Sequence, residues 1–196
     1  MQREVLDCDV LFVGAGPANL AAAYRLAQSL AQSGRTAEIM VIEKGAAVGD
    51  HILSGAIMDP RAMVELFGPD WHKECPVESE VKYDSVYHLS ADGSFKFPFN
   101  PPTLRNEGMW IISLSKVVAW MKTKVEALGV MIAEGMPAAE LLFDGTKVRG
   151  VRTVDRGIGK DGRPGANFQA GTDIHAKVTV LGEGSRGSLA KVLTQK

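Results

Sequence analysis

Gly14, Gly16, Asn19 and Glu43 are the residues whose types and spacing point to chemistry. The run Gly14-Ala15-Gly16-Pro17-Ala18-Asn19 follows the apolar stretch Val10-Leu11-Phe12-Val13, which reads as a buried parallel strand. Glycine at 14 permits a tight turn with unusual φ/ψ, and glycine at 16 leaves no Cβ to keep a pyrophosphate away. Pro17 suits the first position of a helix, where its missing N–H costs nothing and its fixed φ helps. The free N–H groups of that first turn, around Ala18 and Asn19, combine with the helix dipole into an anion site. A second apolar run, Glu38-Ile39-Met40-Val41-Ile42, ends at Glu43, close to where a ribose-binding acid belongs, about 20 residues past the turn. A lone glycine pattern is weak evidence. Here a strand precedes it, a helix follows, and the next strand ends in Glu, so dinucleotide binding outweighs a glycine-rich structural turn. The third glycine of the pattern is Asn19. That position exists for close helix–strand contact, so Asn19 implies a slightly wider packing or a side-chain hydrogen bond.

A second strand–glycine–helix element closes the chain: Ala176-Lys177-Val178-Thr179-Val180-Leu181, then Gly182-Glu183-Gly184-Ser185-Arg186-Gly187, then Ser188 to Lys191. It repeats the logic of the first. FAD carries a flavin beyond its pyrophosphate and is commonly held at two such strand ends, whereas NAD normally needs only the first, so the repeat favours FAD. Glu183 is a candidate for a ribose or ring hydroxyl and Gly184 to Gly187 for close approach to phosphate, with Gly182 a further cofactor contact; the alternative is a buried strand turning into a surface helix. Between the two elements, Lys44 to Ala56 is a loop of small residues just past the second strand, positioned to close on the cofactor, with Lys44, His51 and Ser54 as its candidate contacts. His51 is its one group titrating near neutral pH, and a lone His is more often structural. The four histidines show no metal spacing, and no Ser–His–Asp signature appears. No catalytic side chain and no metal ligand is assigned; the flavin would carry the chemistry and the protein would position it.

These motifs need an α/β frame, a Rossmann-like FAD/NAD(P)-binding domain. In the helix from Pro17, Leu20, Ala23, Ala27 and Leu30 share a face that packs on the sheet. Asp59-Pro60 starts a short helix over 61–67, with Asp59 as N-cap. Residues 81–90 and 94–99 read as strands around the turn Ala91-Asp92-Gly93. The ten residues Phe95 to Leu104 hold three phenylalanines and three prolines. Proline excludes a central strand there, leaving a loop packed on the core or an apolar rim meeting a membrane or hydrophobic substrate. Trp110-Ile111-Ile112 reads as a strand. Ser113 to Leu128 reads as a helix with Leu114, Val117, Val118, Met121, Val125 and Leu128 on one face, ended by Gly129. Val130–Ala133, Ala139–Phe143 and Lys147–Val154 read as strands, the last two joined at Asp144-Gly145. Gly157 to Gly171 reads as a long polar loop or an extended hairpin, the surface loop being the better reading. The whole is one FAD-binding domain over 1–196, with residues 80–175 containing an inserted β-rich and helical crossover. Composition is that of an ordinary globular protein: 45% hydrophobic, 23% charged, net charge −1, giving no pull toward nucleic acid. Only two cysteines, Cys8 and Cys75, are present, which excludes a disulfide scaffold or a four-thiolate cluster within one chain. The N-terminus runs almost straight into the first strand, leaving no room for a signal or transit peptide. No apolar run approaches the ~20 residues needed to span a bilayer.

The stretches VGAGPANLAAAYRL (13–26), VIEKGAAVGDHILSGAIMDP (41–60), WIISLSKVVAWM (110–121), EALGV (126–130), GIGKDGRPGANFQAG (157–171) and HAKVTVLGEGSRGSLAK (175–191) together resemble the N-terminal part of electron transfer flavoprotein–ubiquinone oxidoreductases. The GxHxLSGAxxDP and KDGxPxxxF runs are far more specific than any dinucleotide fingerprint. The resemblance implies an FAD enzyme that accepts electrons from electron transfer flavoprotein and reduces ubiquinone. It sits peripherally on the inner membrane, mitochondrial or cytoplasmic, and carries a [4Fe–4S] cluster in the full-length family. Gly14, Gly16, Glu43 and Gly182-Glu183-Gly184 fall on the family's FAD pattern, and Phe95–Leu104 where it presents apolar residues to the bilayer. Family members are far longer, and their cluster cysteines and most of the quinone domain lie beyond this stretch, so the chain is incomplete relative to the family. Two other readings stand beside it: another FAD oxidoreductase of related architecture, geranylgeranyl-reductase-like or hydroxylase-like, and a non-catalytic nucleotide-binding fragment.

Overall fold

The computed structural model describes residues 3–185 and 187–194. The chain divides into two compact units, one of Met1–Ile52 with Val118–Lys196, the other Leu53–Val117.

The first unit is built on a parallel core. Strand β1 (Val5–Val13) leads into helix α1 (Pro17–Gln32) and then β2 (Ile39–Ile42). β1 pairs in parallel with β2 and, on its other edge, with the final strand, Asp173–Leu181. Leu11 is fully buried, as is all of β2, so the short apolar runs behave as strands covered on both faces. Asn19, Leu20, Ala23 and Ala27 form the buried stripe of α1; Leu30, placed on that stripe by spacing, is only half-buried. Proline at the first helical position and glycine at the N-cap appear as the sequence suggested.

The second unit carries β3 (Ala56–Met58), α2 (Arg61–Phe67), β4 (Val77–Glu80), β5 (Tyr87–Leu89), β6 (Ser94–Lys96) and β7 (Trp110–Ile112). β3, β7 and β4 form a three-stranded antiparallel sheet, β5 and β6 a separate hairpin. β3 and β4 were not legible as strands: three or four residues flanked by polar loop carry too little periodicity. α2 spans the expected residues, but its cap is Pro60 rather than Asp59, whose Oδ1 accepts the Arg61 N–H from one residue further out at 3.0 Å. The hairpin strands are shorter than 81–90 and 94–99, because the backbone pairs only near the turn, where Ser90 N–H meets Gly93 O at 2.9 Å.

Helix α3 (Leu114–Glu126) spans the boundary between the units. It buries Val117, Val118, Met121 and Val125, while Leu128, expected on the same face, lies beyond its end and is exposed. Four strands then return to the first unit: β8 (Met131–Ala133), β9 (Ala138–Asp144), β10 (Lys147–Thr153) and, after a hairpin of β11 (Arg156–Ile158) with β12 (Pro164–Gln169), β13 (Asp173–Leu181). The main sheet runs β8-β2-β1-β13-β10-β9, with the first four strands parallel to one another and β10 antiparallel to both of its neighbours. The segment 157–171 is therefore a hairpin and not a plain surface loop, its strands paired from Arg156↔Gln169 to Ile158↔Pro164. Leu11, Val13, Met40, Ile42, Val151 and Ile174 anchor the core of the main sheet.

Candidate functional site

The first glycine turn sits where β1 ends. Gly14 has φ +96°, the left-handed region that favours glycine, and a Cβ there would lie 2.8 Å from Gly182 O. Its N–H donates to Ile42 O at 2.8 Å, tying the turn to the end of β2. Gly16 differs. Its backbone is ordinary and extended (φ −75°, ψ 171°), and a Cβ on it would meet no protein atom within 4 Å. The first backbone bond of α1 runs from Leu20 N–H to Gly16 O, so by helix geometry the N–H groups of Ala18 and Asn19 have no partner within α1. No side chain caps this terminus and no acid lies in its first turn. An anion would meet the positive helix end and open backbone over Gly16.

Glu43 reaches into this turn. Its Oε2 accepts the Ala15 N–H and its Oε1 the Gly45 N–H, both at 2.8 Å, and the side chain is only 13% exposed. A carboxylate oxygen has a second lone pair, so both oxygens retain capacity to accept from sugar hydroxyls. The loop after Glu43 is pinned by residues that the sequence did not single out. Glu134 at the end of β8 accepts the Val48 N–H and the Lys122 ammonium, each at 2.7 Å. The Lys122 ammonium, with help from the Val48 N–H, holds the Glu134 carboxyl below the usual carboxylate range. Gly135 N–H donates to Gly45 O and Met136 N–H to Glu43 O, again at 2.7 Å. The signal was present: β8, like β2, ends in Glu with a glycine close behind. His51 is mostly exposed, its Nδ1 4.0 Å from Glu43 Oε1, and Lys44 is exposed. Ser54 belongs to the second unit, where its Oγ is 2.9 Å from Ser113 Oγ.

The second glycine turn meets the first through Gly182, whose N–H donates to Val13 O at 3.0 Å. Gly184 has φ +78° and open space where a Cβ would be. Glu183 is engaged by its own chain. Its carboxylate accepts the backbone N–H groups of Ser188 and Leu189 at 3.3 Å and Ala190 at 3.0 Å, with Ser188 Oγ at 3.2 Å. These are the first amides of the closing helix α4 (Leu189–Thr194) and the residue before it. Arg186, within this turn, lies outside the described residues.

Within the first unit, the fold thus gathers Gly14, Gly16, Pro17, Ala18, Asn19, Glu43 and Gly182. Residues fitting a nucleotide are the Gly16 backbone, the Ala18 and Asn19 amides and the Glu43 carboxylate. An iron–sulfur cluster finds no such fit: Cys8 and Cys75 are free, burial pushes both thiols up to about 11, and no group of three or more potential metal ligands occurs among the described residues. A cleft of about 650 Å³ between Asp7, Thr36, Glu38, Arg149, His175 and Lys177 lies at the start of β13, with Gly182 at that strand's other end. Among the described residues no helix is long and apolar enough to cross a membrane.

No protein-family model matches the chain. Curated relatives do. The chain is 45% identical over 196 residues to the mitochondrial electron transfer flavoprotein-ubiquinone oxidoreductase of Dictyostelium discoideum, covering 99% of this chain and 32% of that protein. It is 45% identical over 203 residues to the probable electron transfer flavoprotein-ubiquinone oxidoreductase of Acinetobacter baylyi, covering 100% of this chain and 35% of that one. The Bos taurus mitochondrial enzyme of the same name is 44% identical, with 100% and 32% covered. The chain spans about a third of the length of these relatives. Among solved structures, a geranylgeranyl bacteriochlorophyll reductase-like protein from Thermoplasma acidophilum superposes with a TM-score of 0.60 at 19% identity, over 90% of this chain and 39% of that one. A myxobacterial chondrochloren halogenase, described as a variant of FAD-dependent halogenases, gives 0.60 at 17% identity, over 96% and 39%. At such identities the structures show a shared Rossmann-like FAD-binding fold.

Proposed function

We propose that this chain, homologous along its whole length to electron transfer flavoprotein-ubiquinone oxidoreductases, is the FAD-binding part of such an enzyme. One observation carries the nucleotide half of this reading. Gly16 has a backbone that any residue adopts and no protein neighbour within 4 Å of a Cβ, so what glycine keeps clear there is space for a ligand. The pyrophosphate of FAD would lie over Gly16 against the Ala18 and Asn19 amides, and the Glu43 carboxylate would accept from its ribose. When bound, FAD supplies the electron-carrying chemistry; the protein's residues bind, orient and shield it. Electron transfer flavoprotein as donor and ubiquinone as acceptor follow from the relatives' names. The two cysteines of the 196 residues do not fit a four-thiolate cluster, and no step is routed through one.

A peripheral place on an inner membrane, mitochondrial or bacterial, fits a quinone acceptor. The second unit offers the surface for it. Phe95, Phe97, Phe99 and Leu104 are between 41% and 68% exposed instead of packed into a core, beside exposed Tyr87 and Leu89 and the cations Lys96 and Arg105. Burying such side chains in lipid is worth roughly 1.5–3 kcal/mol each. Replacing Phe97, Phe99 and Leu104 by Ser together is expected to abolish co-sedimentation with liposomes while leaving circular dichroism unchanged; equal partitioning of parent and variant would rule the membrane contact out.

The test of the central reading is a titration of the full chain with FAD, followed by flavin fluorescence, and an assay of the protein as its source encodes it with reduced electron transfer flavoprotein and a soluble ubiquinone. Saturable FAD binding and quinone reduction are expected of the protein, but no quinone reduction from the 196 residues alone. A chain that leaves flavin fluorescence unchanged would overturn the FAD reading.

A further inference from the structure

In dinucleotide-binding turns, the third glycine of the pattern sits where helix and strand pass closest. This chain has Asn19 there, 4% exposed. Asn19 Nδ2 donates to Val13 O at 3.0 Å and to Gly14 O at 2.8 Å. The second bond matters most. Gly14 O and the Ala15 N–H belong to one planar peptide group. The carbonyl end of that plane is held by Asn19, and the N–H end is held by Glu43 Oε2 at 2.8 Å. Glycine at 14 frees the ψ on one side of this plane, and the two side-chain bonds hold the plane against that freedom. Rotation by half a turn would aim the carbonyl oxygen at the Glu43 carboxylate.

The carboxamide also fills space that another residue must vacate. A Cβ built on Gly182 would lie 2.3–2.4 Å from Nδ2, Oδ1 and Cγ of Asn19. Gly182 is not in the left-handed region, so its backbone suits any residue and the Asn19 side chain is the obstacle. The requirement for a glycine has thus moved from α1 to the end of β13.

We propose that Asn19 is a positioning residue. It locks the Gly14–Ala15 peptide with its N–H on Glu43, holding the turn from which the Ala18 and Asn19 amides are offered to a phosphate, and it makes glycine obligatory at 182, so that the two glycine turns hold one geometry together. The phosphate part rests on the nucleotide reading above; the coupling of 19 to 182 does not.

Two measurements on the full chain decide it. The first is a thermal-unfolding cycle without FAD, using Asn19→Ala, Gly182→Ala and the double variant. Gly182→Ala alone is expected to lower the melting temperature most, and Asn19→Ala in that background to recover part of the loss, because all three clashing atoms are gone. Strictly additive shifts would overturn the coupling. The second is the FAD dissociation constant of Asn19→Asp between pH 8 and pH 5, relative to the parent so that the effects of Glu43 and His51 cancel. The introduced carboxylate has the shape of Asn but no donor, and it faces two carbonyl oxygens. Affinity is expected to fall about tenfold or more at pH 8, the scale of one or two lost hydrogen bonds. It should recover on acidification as the carboxyl regains a proton to donate. A residue that only fills space would show neither the loss nor the recovery, and a flat profile at parental affinity would overturn the locking role. Should the parent itself bind no FAD, the nucleotide reading falls, while the unfolding cycle still decides whether Asn19 dictates Gly182.

Discussion

The two glycine turns are alike in sequence and opposite in electrostatics. Each follows an apolar parallel strand, contains a left-handed glycine and leads into a helix. At the first, the helix terminus has neither a side-chain cap nor an acid of its own, and the carboxylate that enters the turn, Glu43, comes from the end of the neighbouring strand. At the second, Glu183 inside the turn already occupies the amides that begin α4. A strand–glycine–helix element can therefore offer its amides to an anion only while its own sequence leaves them unanswered. Where an internal acid answers them, the same element becomes a stable corner.

The sharpest way to break this comparison is Gly16→Val. A branched side chain over the first turn would occupy the ligand's space without meeting protein, so FAD affinity is expected to fall by about a hundredfold or more, the loss of two charge-assisted hydrogen bonds. The melting temperature of the cofactor-free chain should hold. Flavin retention at parental affinity would remove the first turn from the site.

The two acids then separate the turns. Glu43→Ala is expected to weaken FAD by about 1.5–3 kcal/mol, the range for hydrogen bonds to a charged group. Glu183→Ala is expected to act mainly on the fold, costing about 1 kcal/mol of stability as other helix-cap removals do, with FAD affinity nearly unchanged. Paired urea unfolding and FAD titrations distinguish them. If Glu183→Ala lost FAD as Glu43→Ala does, the second turn would be a cradle as well and the contrast would collapse.

Acid should reveal what the turns share. Arg3 pairs with Asp155, and Arg152 with Asp173 at 2.7 Å, where β1 and β13 begin their pairing. These guanidinium bonds, reinforced at Asp155 by the Gly171 N–H, hold the Asp155 carboxyl well below the usual carboxylate range and lower that of Asp173. A carboxyl with a depressed folded pKa contributes stability above its unfolded pKa, about 4, and loses it as pH falls toward the folded value. The thermal stability of the cofactor-free chain should thus fall below about pH 4. Asp155→Asn should blunt that acid limb and leave the neutral-pH affinity for FAD unchanged. An acid limb identical in the variant would place the sensitivity elsewhere.

The sequence by itself determined the parts whose signals are local. Continuous apolar runs made β1 and β2, a 3–4 spacing made the buried stripe of α1, and Pro17 marked its start, because backbone geometry and solvent exclusion act over a few residues. The tight turn at Gly14 was legible for the same reason, since its left-handed φ is a local demand for glycine. Tertiary structure decided the rest. β3 and β4 exist because β7 lies between them to pair with, not because three or four residues prefer to be extended. Glu134 entered the site only once β8 was laid beside β2. Glu183 was engaged by α4 through the position of a helix that begins six residues later. Asn19 shows the division most plainly: its type announced either wider packing or a side-chain hydrogen bond. Only the arrival of β13, with a glycine at 182, let the amide take up two carbonyl oxygens at close range. Local preference is written in neighbours along the chain; the use of a hydrogen-bonding group is set by which partners the fold brings to it.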